Sequence, residues 1–213
     1  IAECVPRYAI SRNVARRLQK YCGLAATPLY PPVPRAGLRP ESYDPYILSV
    51  ARLDAAKRVD RLIEAFAAVR SRMQLHIVGD GPDRNALESL TVRRGLAGRV
   101  VFHGRASDAA LLNLYNRCRA VYYAPVDEDY GLTTVEALTA AKPVITSPDS
   151  GGVLEFVTHE ATGLIAPLDR DELAAAIDRI SDETYARALG AEGPRMTESL
   201  TWDRVIDALL GDG

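Results

Sequence analysis

YILSVARLDAAKRVDRLIEAFAAV (46–69) joins a short β-rich apolar run to an amphipathic helix through a connector that carries Arg52 and Lys57. The run 46–51 is almost continuously apolar, as expected of a strand covered on both faces of a parallel sheet. Beyond it, Val59, Leu62, Ile63, Phe66 and Val69 recur at the 3.6-residue helical period and share one face. Five more runs follow: LHIVG (75–79), VVFHG (100–104), AVYYAP (120–125), PVITS (143–147) and the weaker GLIAP (163–167). Helical patterns lie between them; in one of these, DAALLNLYNRC, Asp108 is the expected N-cap. Strands and helices alternating at this spacing predict an α/β fold with a doubly wound, Rossmann-like parallel sheet.

The ends read differently. Ser11 is expected to cap a helix, SRNVARRLQKYCG, ending near Gly23. TPLYPPVPRAG then places four prolines in eleven residues, a composition that reads as a stiff linker. Residues 1–34 are therefore expected to be the remnant of a preceding domain plus a hinge, and residues 35–200 the α/β domain. Helical patterns alone follow residue 170, and 201–213 reads as a closing helix that packs toward the preceding domain, with Trp202 as its anchor. The chain does not begin with Met, as expected of a piece of a longer protein. Its 213 residues carry a net charge of −2, which offers no electrostatic case for nucleic acid as a partner. No secretory signal or membrane-length apolar run is found. Cys4, Cys22 and Cys118 are odd in number and widely spaced, so they read as reduced thiols of a cytoplasmic protein.

In a parallel sheet, ligands bind beyond the carboxyl ends of the strands. The residues there are Arg52 and Lys57, then GDGP with Gly79 and Gly81, then Gly104 and Arg105, then DEDYGLTTVEAL (127–138), then SPDSGGVLEFV (147–157). Two cations and several glycine-lined helix starts suit a diphosphate. Glu128 in its loop and Glu136 on the second turn of a helix opened by Gly131 would repel a diphosphate. As acceptor-only groups they suit the hydroxyls of a ribose and a sugar ring. Asp127-Glu128-Asp129 has the D-x-D form of a divalent-metal site, but the Arg/Lys pair already supplies the positive charge, so no metal is expected. GDGP and SGG also fit plain turns. His76 reads as a satisfied core histidine, His103 as a strand residue beside the loop and His159 as a loop residue, none with a partner at a telling spacing. Tyr122 and Tyr123 are expected to pack on the sheet.

The order RL-x3-K, G-x-GP, E-x7-E with an embedded G-L, and a PV strand followed by GG-x2-E, resembles the family-4 (group 1) retaining glycosyltransferases of GT-B fold, from about Ser11 to Trp202. The resemblance implies that Arg52 and Lys57 bind the diphosphate of a UDP- or GDP-sugar donor and that Glu136 binds its ribose. It places Glu128 by the donor sugar and has the backbone of Gly131, Leu132 and Thr133 contact sugar or phosphate. It further implies hexose transfer with retention, without a metal or other cofactor, to a glycan, lipid or small-molecule acceptor held by an N-terminal domain. Any peripheral membrane contact would belong to that domain, and this chain alone is expected to be inactive. Tyr130 stands where the family usually has Phe, adding a hydroxyl in need of a partner. Two other readings keep the same residues: a non-catalytic nucleotide-sugar-binding module, and a GT-B sugar-nucleotide epimerase.

Overall fold

The computed structural model describes residues 6–33 and 36–211; Cys4 and Pro34 lie outside them. In chain order the elements are β1 (Tyr8–Ala9), α1 (Arg12–Cys22), β2 (Thr27–Pro28), β3 (Tyr46–Val50), α2 (Val59–Phe66), β4 (Gln74–Val78), α3 (Arg84–Arg93), β5 (Val100–Gly104) and α4 (Asp108–Arg117). They continue with β6 (Ala120–Tyr122), α5 (Leu132–Thr139), β7 (Val144–Thr146), β8 (Gly163–Ile165), α6 (Arg170–Ile180), α7 (Glu183–Gly190), α8 (Gly193–Thr197) and α9 (Trp202–Leu210).

The six strands β3 to β8 form one sheet in the order β5-β4-β3-β6-β7-β8. Every pairing in it is parallel, which is the doubly wound α/β arrangement expected from the sequence. Strand side chains alternate between two cores. Ile47, Leu75 and Ile77 join α2 and α6 on one face, where Leu62, Ile63, Phe66, Leu173 and Ile177 are buried. Leu48, Val78 and Val121 join α4 and α5 on the other, with Tyr115, Val135 and Leu138. Coverage on both faces is why the strands are so uniformly apolar.

Several local expectations need correction. Helix α4 is capped by Ser107, whose hydroxyl accepts from the Ala110 amide, and Asp108 is its first helical residue. A serine hydroxyl on an extended backbone does what the aspartate was expected to do. Ser11 caps α1 as read, and Gly23 closes it in the left-handed conformation at φ 67°. The proline-rich stretch is not only a linker, since Thr27 and Pro28 pair in parallel with Tyr8 and Ala9. Trp202 does not anchor α9: it is 65% exposed, and Ile206, Leu209 and Leu210 are exposed beside it. Cys22 is exposed and Cys118 buried, and both are free thiols.

The histidines also differ from expectation. His76 is only half-buried; its ring stacks on Tyr46 at 4.3 Å, and its Nδ1 lies 3.2 Å from Nε2 of His103. Neighbouring strands bring them together: β4 and β5 pair in register at His76 and Val101, two residues before His103. Burial, and then the charge His103 would carry, push the His76 pKa down to about 4. In the unfolded chain the imidazole titrates near 6.5. The unfolded state therefore gains the proton first as pH falls, and stability held above pH 6.5 drains away between 6.5 and 4. The expected contribution is on the order of 2 kcal/mol after allowance for partial exposure. Thermal melts at pH 7.5 and 4.5 should show a smaller acid loss for His76→Gln than for the native chain, and equal losses would exonerate His76.

Candidate nucleotide-sugar site

The strand order reverses between β3 and β6, so the loops leaving these two neighbours part to opposite faces and open a crevice at the sheet's carboxyl edge. Backbone hydrogen bonds knit the loops around it. The Val126 amide donates to the Ala56 carbonyl at 2.9 Å, joining the loop after β6 to that after β3. The Asp127 amide donates to Asp149 at 3.0 Å and the Gly152 amide to Glu128 at 2.7 Å, joining it to the loop after β7.

At this point Lys57 and Glu128 form an ion pair, with each side chain about one-fifth exposed. The Tyr123 hydroxyl donates to the same Glu128 oxygen at 2.7 Å and lies 3.2 Å from the Lys57 ammonium. Tyr123, expected only to pack on the sheet, is thus part of the cluster. Burial and then the Glu128 hydrogen bond raise its phenol well above the ordinary value, which keeps it a donor. Arg52 is the outlier: its side chain is 73% exposed, and its ion pair is with Asp54 at 3.6 Å. Arg58 makes a two-pronged pair with Asp149, at 2.7 and 2.6 Å, which holds the Asp149 carboxyl well below its usual range. A cation next in sequence to Lys57 thus serves to tie two loops.

Helix α5 starts at Gly131, whose φ of 86° favours glycine; a Cβ there would meet the Val153 methyl at 2.8 Å. The first-turn amides of Leu132 and Thr133 make no hydrogen bond among the described residues, as helix geometry leaves them. Thr133 donates its hydroxyl to the Val50 carbonyl at 3.2 Å, which seats the helix start on the end of β3. Glu136, on the second turn as expected, is only 4% exposed. It sits beside Tyr115, whose fully buried phenol is raised by burial and then by the Glu136 charge. Arg105 is exposed at the end of β5, and a Cβ added at Gly104, which adopts φ 64°, would meet the Arg84 guanidinium at 3.1 Å. The glycines of the two turn motifs meet a need within the chain. A Cβ at Gly79 would overlap the Ala51 carbonyl, one at Gly81 the Leu53 carbonyl, and one at Gly151 would lie 2.6 Å from the Glu128 carbonyl.

Three groups went unremarked in the sequence. Asn13 donates to Asp127 at 2.7 Å and to the Glu128 carbonyl at 3.1 Å. Arg17 pairs with Asp127 and Asp129. Glu155 accepts from the α1 amides of Arg12 and Asn13 at 3.0 and 2.8 Å and from the Tyr30 hydroxyl at 2.7 Å. The D-x-D carboxylates are therefore engaged by α1, and no group of three metal-ligating side chains forms among the described residues. The Tyr130 hydroxyl finds its partner in the Pro31 carbonyl at 2.8 Å. All of these contacts are long in sequence, so only the GG-x2-E spacing around Glu155 could have flagged one of them. An open cavity of about 990 Å³ lies between α1 and the loop after β7, with Arg12, Arg16, Asp127, Asp149 and Glu155 on its walls.

Comparison with known proteins agrees with this architecture. The family described as Glycosyl transferases group 1 matches residues 35–196. A GDP-mannose-dependent alpha-mannosyltransferase of Mycolicibacterium smegmatis is 34% identical over 169 residues, covering 78% of this chain and 42% of that protein. An uncharacterized glycosyltransferase of Methanocaldococcus jannaschii is 31% identical over 164 residues, covering 75% and 42%. The chain thus spans about two fifths of the length of these relatives. The solved sucrose-phosphate synthase of Thermosynechococcus elongatus superposes with a TM-score of 0.82 at 28% identity, covering 96% of this chain and 56% of that one. A doubly wound sheet of GT-B type, a match over residues 35–196, and relatives above 30% identity place this chain in the group 1 glycosyltransferase family.

Proposed function

We propose that this chain is the donor-binding half of a retaining glycosyltransferase that uses a UDP- or GDP-hexose and needs no metal ion. The observation that carries the proposal is the meeting of Lys57, Glu128 and Tyr123 at the switch point, beside the unbonded first-turn amides of α5. These groups offer a cation and free N–H donors for a diphosphate, and carboxylates for hydroxyls. In this reading Lys57, with Arg52 swinging in from solvent, stabilises charge growing on the leaving diphosphate, as a metal would elsewhere. Gly79, Gly81, Gly104 and Arg105 line the nucleotide's path, and Glu136 accepts from the ribose hydroxyls. Glu128 leaves Lys57 to face the sugar, next to the backbone of Gly131, Leu132 and Thr133. The attacking hydroxyl enters on the face the diphosphate leaves. Its acceptor is held in part by segments of the protein outside these residues, so the chain alone turns over no donor. The relative that uses GDP-mannose supports a nucleotide-sugar donor. No helix among the described residues is long and apolar enough to cross a membrane. The cytoplasm, where nucleotide sugars are made, is the proposed setting.

Thermal shift with UDP, GDP, ADP and their sugars identifies the donor; ligand at 100 times its Kd should stabilise by about 2.7 kcal/mol. The shift should survive EDTA, and its loss in EDTA with recovery in manganese would reject metal independence. Calorimetry then separates the two glutamates. Glu136→Gln should weaken nucleoside diphosphate and intact donor alike, by part of the roughly 1.5–3 kcal/mol of a charge-assisted bond. Glu128→Gln should weaken the intact donor without weakening the nucleoside diphosphate, because the carboxylate meets only the sugar of the ligand and its loss frees Lys57 for the diphosphate. Equal losses on both ligands for Glu128→Gln would move that residue away from the sugar.

A further inference from the structure

The cavity between α1 and the loop after β7 has walls of mixed chemistry. Its carboxylates are all committed. Asp127 is held by Asn13 and Arg17, Asp149 by Arg58, and Glu155 by two α1 amides and Tyr30. The Tyr30 phenol is pushed up to about 12, by burial and then by its bond to Glu155, so that bond persists across ordinary pH. The cations are not committed in the same way. Arg12 and Arg16 stand one turn apart on the same face of α1, and neither has a carboxylate within ion-pair distance among the described residues. Arg16 spends a single donor on the Asn13 side-chain oxygen at 3.1 Å. A guanidinium carries five N–H donors in a planar fork, so most of this capacity is left unused among the described residues. Between the arginines and the far wall, Pro28, Pro148 and Leu154 supply apolar surface fit for a ring or short alkyl body. The cavity also adjoins the proposed sugar position, since Gly151 on its wall packs against the Glu128 carbonyl.

We propose that this cavity is an anion subsite for the acceptor: Arg12 and Arg16 grip a phosphate monoester on a small soluble acceptor while its apolar body lies against Pro28, Pro148 and Leu154. The assignment to an acceptor rests on the donor reading above; the anion site itself does not. Two forked donors one helical turn apart can share the oxygens of one phosphate, which is the geometry that favours arginine over lysine. The three engaged carboxylates shape the walls and restrict entry to ligands that bring their negative charge to the α1 side.

The test uses this chain, glucose 6-phosphate as probe, glucose as the neutral control, vesicles containing phosphatidylglycerol, and the nucleotide that binds in the thermal-shift panel. Glucose 6-phosphate should bind and glucose should not. Arg12→Gln with Arg16→Gln should raise the glucose 6-phosphate Kd at least about tenfold, as expected for two lost charge-assisted bonds. It should leave nucleotide binding and the melting temperature unchanged, because both side chains are exposed. Lys57→Met should do the reverse, weakening the nucleotide and sparing glucose 6-phosphate. The subsite is overturned if the double variant binds glucose 6-phosphate as the native chain does, or if only Lys57→Met weakens it, which would place the phosphate in the donor site. Arginine-dependent vesicle binding without glucose 6-phosphate binding would overturn the soluble acceptor in favour of a lipid headgroup. Arginine-dependent glucose 6-phosphate binding by a chain that binds no nucleotide would uphold the subsite and reject the donor reading alone.

Discussion

Gly79→Ala is expected to cost the chain on the order of 4 kcal/mol, a large effect for a single added methyl group. The residue adopts φ 130°, which L side chains rarely reach, and the new Cβ would overlap the Ala51 carbonyl. That carbonyl is backbone at the end of β3, so no rotamer change relieves the clash. The Gly79 amide also donates to the Gly104 carbonyl at 2.8 Å, so a shift there disturbs the loops after β3, β4 and β5 together. A loss of this size is a large share of the stability of an ordinary domain and should lower Tm by roughly 10 °C. Gly98→Ala is the control: a Cβ there meets nothing within 4 Å, and its φ is ordinary, so its Tm should barely move. Similar melting temperatures for the two variants would mean that the GDGP loop has slack, leaving ligand approach as the reason for its glycines.

Lys57→Met is expected to lower nucleoside diphosphate affinity by about 10–100-fold, the equivalent of roughly 1.5–3 kcal/mol for a charge-assisted contact in a partly buried site. Two effects act in the same direction. The diphosphate loses a cation, and Glu128 keeps its charge without the partner that balanced it in the free chain. Methionine preserves the length and apolar stem of lysine, so packing changes little. The same unbalanced carboxylate should reduce stability by about 1–3 kcal/mol, softened because Glu128 is one-fifth exposed and retains the Tyr123 hydrogen bond. Adding Glu128→Gln should restore much of the stability but only the part of the affinity lost to the unbalanced carboxylate, since the cation is not replaced. Calorimetry with UDP and GDP and a melt of the three variants would check both parts. Unchanged affinity in Lys57→Met would leave Lys57 as a structural partner of Glu128 and shift the diphosphate to Arg52 and the α5 amides.

The fold and much of the crevice were legible along the chain, because both depend on local patterns. Runs such as 46–51 and 143–147 are apolar throughout, and that is what burial on two faces demands. The helical period of Val59, Leu62, Ile63 and Phe66 is likewise a property of neighbouring residues, and the structure buries all four. Arg52, Lys57, Glu128 and Glu136 could be singled out because ligands in such sheets meet the residues just after the strands. Which groups touch could not be read in the same way. Lys57 and Glu128 are 71 positions apart, and their contact exists because β3 and β6 are neighbours in a strand order that reverses between them. His76 and His103, 27 apart, meet through the pairing of β4 with β5. Glu155 reaches the Asn13 amide at the start of α1 across 142 positions, and Tyr130 reaches Pro31 across 99. The glycines of GDGP read the same in sequence whether they admit a ligand or a neighbouring loop, and only the position of the Ala51 and Leu53 carbonyls supplies a reason internal to the chain. Periodicity reports which face of an element is buried; the partner on that face is chosen by strand order and loop path, which bring together residues whose separation in sequence carries no signal.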